Sequence, residues 1–150
     1  MQMTLGSKGD YSVRAVLDLA RAHGRSRRKA REISHQMDIP PKYVPQVLGD
    51  LIRAGLVESV AGPEGGYSLA RPPAEISLLD VVEAAEGPVR NTKCLMRGGP
   101  CHWDDACSVH AAWADAQEKM VTQLARTTFA QLARQDVAME KKAAADAATL

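Results

Sequence analysis

Between Asp38 and Leu69 the chain is punctuated so closely that few folds can accommodate it. Asp38-Ile39-Pro40-Pro41 reads as a turn, and a short helical pattern, about Ala30–Met37, precedes it. After it, Val44, Val47, Leu48, Leu51 and Ile52 form one apolar stripe at helical spacing, with Gly55 placed to stop the helix. Pro45 is tolerated only in a first turn, where its missing N–H would lack a partner anyway, so the helix is expected to begin near Lys42. Its outward face would carry Lys42, Tyr43, Gln46 and Asp50. Leu56–Val60 then reads as a strand, Gly62-Pro63-Glu64-Gly65-Gly66 as a turn, and Tyr67–Leu69 as the returning strand. Short helix, tight turn, amphipathic helix and glycine-rich hairpin, in that order, describe a winged helix-turn-helix. The expected class is mainly α with a small β-hairpin wing.

The flanks add helices. Val13, Val16, Leu17 and Ala20 recur at helical spacing after Asp10, a candidate N-cap, and Gly24 ends the pattern. Ser77 with Asp80 resembles a capping box that opens a helix closed by Gly87-Pro88. From Val109 a stripe of Ala112, Trp113, Ala116, Met120 and Leu124 predicts a long amphipathic helix to about Leu124 or Arg126. A small winged domain leaves such a helix little core to pack on, so its stripe is expected to pair with a second copy. Thr128 and Gln131 form another capping box, opening a short helix to about Arg134, and the Ala-rich end from Lys141 reads as a frayed tail.

Charge is unevenly spread. Residues 1–56 carry ten Lys/Arg against five Asp/Glu, whereas the remainder carries nine against thirteen. A basic first third favours a polyanion partner, with double-stranded nucleic acid first. Five of the eight residues Gly24–Arg31 are basic, and Arg28, Lys29 and Lys42 are candidate phosphate contacts. The absence of a long apolar run argues for a cytoplasmic protein without a membrane partner. There is no phosphate-binding glycine loop and no catalytic triad pattern, and Asp104 and Asp105 read as loop solubility. Neither an enzyme nor a small-molecule substrate is expected.

All three cysteines lie in one stretch, CLMRGGPCHWDDACSVH, from Cys94 to His110. Gly98, Gly99 and Pro100 exclude a helix between the first two. Cys107 should open the long helix, where the backbone dipole favours a thiolate, with His110 on the same face of its first turn. In a reducing compartment an odd trio of cysteines points to a metal centre rather than a disulfide framework. Three soft sulfur ligands and an imidazole suit zinc or an iron–sulfur cluster.

Three segments carry a family resemblance: SKGDYSVRAVLDLA at Ser7–Ala20, GLVESVAGPEGGYSLAR at Gly55–Arg71, and CLMRGGPCHWDDACSVHAAW at Cys94–Trp113. Over roughly residues 3–134 the chain resembles the IscR/NsrR family of bacterial iron–sulfur transcription regulators. That resemblance implies a homodimer bound to an operator, probed through a recognition helix and a wing, and a cluster held by Cys94, Cys101 and Cys107. His110 is similar in position to the fourth ligand of a 2Fe–2S cluster. Asp10 is similar in position to a ligand that reaches a 4Fe–4S cluster from the other subunit. The 2Fe–2S reading with His110 is favoured, a 4Fe–4S cluster with Asp10 is the alternative, and structural zinc ranks below both. Tyr43 and Gln46 match recognition-helix positions, and Gly62, Pro63, Gly65 and Gly66 match the wing. Pro45 and Ala61 depart from the IscR pattern, an acidic residue and an arginine there, so base preference is expected to differ. The resulting division is a winged-helix DNA-binding domain at 1–88, a cluster-binding loop at 89–107, a dimerisation helix and short following helix at 108–134, and a flexible tail at 135–150.

Overall fold

A computed structural model describes residues 4–90, 93, 94, 96, 98–100 and 106–149. Helix α1 spans Ser7–Ala22, beginning one turn before the expected start. Its N-cap, Gly6, has no side chain to offer, and the acceptor comes from elsewhere: Gly9 N–H donates to Glu86 Oε1 at 2.8 Å. That carboxylate satisfies a first-turn donor that the helix itself leaves orphaned. A Cβ on Gly9 would lie 2.6 Å from Glu86 Oε1, so the glycine is required for the approach. Asp10 is therefore not the N-cap. Its backbone N–H already bonds Gly6 O at 3.0 Å, and its carboxylate pairs with Arg14 one turn on, also at 3.0 Å.

Helix α2 (Ala30–Gln36) and helix α3 (Val44–Arg53) are joined by the expected turn. Asp38 adopts φ 51°, and the turn is closed by Ile39 N–H to Ser34 O at 3.0 Å and by Ser34 Oγ to Ile39 O at 2.7 Å. Strands β1 (Val57–Val60) and β2 (Gly66–Leu69) pair antiparallel with Val57 opposite Leu69. A third, single-residue strand joins them at Arg28, whose N–H donates to Tyr67 O at 2.9 Å while Tyr67 N–H donates to Arg28 O at 2.8 Å. Nothing in the sequence of the basic loop announced that strand.

The core gathers Ala15, Val16 and Leu19 of α1, Ile33 of α2, and Val44, Val47, Leu48 and Leu51 of α3. Leu56, Val57, Leu69, Ile76 and Val81 close it. Each fully buried Leu, Ile or Val contributes about 1.5–3 kcal/mol relative to exposure. A short 3₁₀ turn, Pro73–Glu75, leads to α4 (Leu78–Glu86), capped by Ser77 and Asp80 as expected.

Helix α5 spans Ser108–Arg126, and Val121 is the one buried residue along it. Helix α6 (Phe129–Ala148) returns to the winged unit. Phe129, the chain's single phenylalanine, is fully buried in the same core, with Phe129 N–H to Ile76 O at 2.9 Å and Leu78 N–H to Thr127 O at 2.8 Å. The expected short last helix and frayed tail are corrected here: α6 runs from Phe129 to Ala148. Alanine has the highest intrinsic helix propensity, which a search for an apolar face overlooks. Arg21 of α1 also clips the extension, with Asp136 at 2.7 Å and Glu140 at 2.7 Å.

Candidate nucleic-acid interface and cysteine loop

The start of α3 presents the side chains expected to read bases. Tyr43 is the N-cap residue, in a helical conformation, and Pro45 falls in the first turn, the position proline tolerates. Lys42, Tyr43 and Gln46 are all exposed. Tyr43 is positioned from two sides: its ring packs on Tyr11 of α1 with centroids 5.5 Å apart, and Lys42 Nζ lies 4.9 Å from its centroid. Asp50, expected on the outward face, is instead turned towards α1. It lies 3.1 Å from Lys8 Nζ and also pairs with Arg53.

The hydrogen bond from Lys8 is the main reason the Asp50 carboxyl sits below its ordinary range, with Arg53 adding to it against the cost of burial. A lowered pKa gives stability that is complete above the usual aspartate value of about 3.9 and is lost as pH falls through the lowered one. Asp50→Asn should therefore be less stable than the parent at pH 6, and the difference should shrink in acid unfolding below about pH 4. A stability gap that stays constant down to pH 2 would contradict this assignment.

The wing is tied to the start of α2. Lys29 Nζ donates to Pro63 O at 2.9 Å and Gly62 O at 3.3 Å, and its backbone N–H is capped by Glu32. Gly62, Pro63 and Glu64 form the exposed tip. Gly65 and Gly66 have an internal explanation: a Cβ on Gly65 would lie 2.0 Å from Val60 O, and one on Gly66 2.8 Å from Arg28 O. Arg28, expected to face phosphate, points inward. Its Nε donates to Asp18 Oδ2 at 2.9 Å and its Nη2 to Asp18 Oδ1 at 3.3 Å. Asp18 is a buried carboxylate on α1, so this fork joins the third strand to the helix behind the wing.

At the cysteine stretch, Cys94 begins a tight turn, with Cys94 N–H donating to Gly99 O at 2.7 Å and Gly98 N–H to Cys94 O at 2.8 Å. Gly98 takes φ 72°, which its lack of a side chain permits. Cys107 is the N-cap of α5 in an extended conformation, and its thiol makes no capping hydrogen bond. His110 is the third residue of the helix, exposed, one turn along from Cys107. Cys94 and Cys107 are half-buried. Cys101 and residues 102–105 lie outside the described residues, and among the described ones no three His, Cys, Asp or Glu side chains gather as a metal site. The donor chemistry fits a soft metal or cluster: a thiol at a helix N-terminus that is not used for capping, a second at a glycine turn, and an imidazole one turn on.

A family model for Rrf2, described as an iron-dependent transcriptional regulator, matches residues 5–135. The chain belongs to the Rrf2 family. It is 36% identical over 130 residues to the HTH-type transcriptional regulator IscR of Klebsiella pneumoniae, covering 87% of this chain and 79% of that one. Among solved structures it resembles CymR, the global cysteine regulator of B. subtilis, with a TM-score of 0.77, 26% identity, and coverage of 89% and 98%. IscR from T. potens gives a TM-score of 0.73 at 27% identity, with 91% and 90% covered. This Rrf2 chain is thus an IscR-like, winged-helix transcriptional regulator, and its relatives are DNA-binding regulators rather than enzymes. Among the described residues no helix is long and apolar enough to cross a membrane.

The residues that sequence reasoning missed are those that support others. Tyr11 orients Tyr43, Asp18 holds Arg28, and Glu86 caps α1. Each is ordinary in type, and its role depends on a neighbour 10 to 77 positions away.

Proposed function

We propose that this Rrf2 protein binds a DNA operator as a homodimer and acts as a repressor, and that an iron–sulfur cluster on Cys94, Cys101, Cys107 and His110 switches its affinity. The observation that carries the reading is the placement of Cys107 and His110 on the first turn of α5, with Cys94 on the segment that leaves α4. The cysteine stretch therefore spans the junction between the winged unit and the long helix α5. A bound cluster supplies a centre that responds to redox state, nitric oxide or iron supply. The protein's part is to hold it at that junction, so that ordering or releasing residues 94–107 changes the setting of the winged unit on α5. Asp10 of the other subunit is the alternative fourth ligand, with a 4Fe–4S cluster. Fold likeness extends to both IscR and CymR, so the cofactor reading rests on the cysteine stretch and not on the fold. An anaerobic absorption and Mössbauer spectrum of freshly purified protein tests it. A colourless protein carrying zinc would replace it with a zinc-stabilised regulator.

On the DNA side, Tyr43 and Gln46 enter the major groove, with Lys42, Lys29 and the tip at Gly62 and Pro63 against the backbone. Arg28 acts through Asp18, and Gly65 and Gly66 by letting the wing close. Gln46→Ala should weaken binding at one base pair by roughly 1–3 kcal/mol if the contact is bidentate to adenine. Lys42→Ala should weaken all sequences alike and flatten the salt dependence by about one charge. Identical effects of the two changes on operator and random duplex would overturn this division of labour.

The dimer forms through the stripe on α5, which the winged unit leaves largely uncovered: Val109 is 46% exposed and only Val121 is buried. Met120→Glu or Leu124→Glu should yield monomer in sedimentation, because a charge would be enclosed in the seam. Wild-type protein sedimenting as a monomer at micromolar concentration would sink the assignment.

A further inference from the structure

The segment leaving α4 towards the first cysteine is tied to side chains of α4 and α5 at Val89 and Arg90. Val89 N–H donates to Glu83 Oε1 on α4 at 3.0 Å, while Val89 O accepts from Gln117 Nε2 on α5 at 3.2 Å. One residue thus bridges the winged unit and the long helix. The next residue repeats the attachment: Arg90 Nε donates to Glu118 Oε2 at 3.1 Å and its Nη2 to Glu118 Oε1 at 2.8 Å, a two-pronged fork on the same turn of α5. The far end of the stretch is fixed to α5 as well, since Cys107 is its N-cap. Both flanks of the cysteine stretch are therefore attached to one helix, at Val89 and Arg90 on one side and at Cys107 on the other, and the Arg90–Glu118 fork is solvent-exposed.

We propose that Gln117 and Glu118 are positioning residues for the cysteine loop: by fixing Val89 and Arg90 they set where Cys94 stands relative to Cys107. The inference deepens the cluster reading but does not depend on it, because the strap exists in the polypeptide alone. Neither residue is a ligand. The Arg90–Glu118 half of the strap is electrostatic and exposed, so it can yield when the winged unit moves on α5, which makes the strap a joint rather than a weld.

The test uses the full-length protein with Glu118→Arg, Arg90→Glu, the charge-swapped double variant, and Gln117→Ala. In reduced, metal-free protein, the rates at which iodoacetamide alkylates Cys94 and Cys107 are followed by peptide mass spectrometry. The single variants should speed alkylation of half-buried Cys94 several-fold while Cys107 is unchanged, and the charge swap should restore the Cys94 rate. In protein purified anaerobically, the same single variants should lose chromophore to a chelator faster, again with recovery in the swap. If the alkylation pattern appears but no variant has a chromophore, the strap stands and the cluster reading fails. Unchanged Cys94 rates in all variants would overturn the strap. So would equal acceleration at both cysteines, which signals general loosening, or a swap that fails to restore.

Discussion

Replacing any one of Cys94, Cys101 and Cys107 with alanine is expected to leave the anaerobically purified protein without its visible chromophore. A methyl group cannot stand in for a thiolate, so a cluster that loses one of its sulfur ligands loses a metal–sulfur bond. The fold should survive, because the cysteines belong to the segment joining α4 to α5, and neither Cys94 nor Cys107 is part of the aliphatic core. Circular dichroism unchanged from wild type, alongside a vanished absorption band, is the expected pair of results. A coloured Cys94→Ala or Cys107→Ala protein would remove the proposed ligand set. The fourth ligand follows from two further variants. With His110 as ligand, His110→Ala alters the spectrum and Asp10→Ala does not. Asp10→Ala should also cost little stability, about 0–1 kcal/mol, since Asp10 makes an exposed pair with Arg14 and does not cap α1. The reverse spectral pattern would assign Asp10 and the 4Fe–4S alternative.

The largest effect on stability is expected from Arg28→Ala. It leaves the Asp18 carboxylate, 5% exposed in its side chain, without its forked partner. Removing one member of a buried pair is strongly destabilising, about 3 kcal/mol at the lower end of the usual range, and Arg28 is itself partly solvated, which argues for that end. For a chain of this size the loss corresponds to a fall in Tm of about 6–12 °C. Arg28→Lys keeps the charge but not the fork and should fall between. Alanine at both Arg28 and Asp18 should recover part of the loss, because no uncompensated charge remains. Thermal unfolding that places Arg28→Ala within about 0.5 kcal/mol of wild type would show that the buried carboxylate needs no partner. The outcome also bears on DNA binding: a weakened affinity in this variant reports a displaced wing strand rather than a lost phosphate contact.

The winged unit was legible because its signals are local. Prolines at 40 and 41 fix the backbone, and Gly55 after an apolar stripe and glycines at 62, 65 and 66 permit conformations or close approaches other residues cannot, so the helix, turn and hairpin limits follow within one or two positions. The two capping boxes, Ser77 with Asp80 and Thr128 with Gln131, are local in the same way and were found where expected. The length of α6 was not legible. Its first turn is anchored by Phe129, but its last turns carry no apolar face, and their register is supported by alanine propensity and by a clip from Arg21 over 100 residues away.

By itself the sequence determined a winged helix-turn-helix, a long helix with an apolar stripe, and three thiols with a histidine gathered on one stretch, because apolar spacing and the special backbone preferences of glycine and proline act within a few positions. Only the tertiary structure decided what the charged residues do. Of the candidate phosphate contacts, it turned Arg28 inward to Asp18 and set Lys29 on the wing carbonyls; it turned Asp50 to Lys8 and gave Glu86 to the first turn of α1. The reason is physical: a long charged side chain has many rotamers and no periodic signature, and it goes to whichever donor, acceptor or counter-charge the fold brings within about 3 Å.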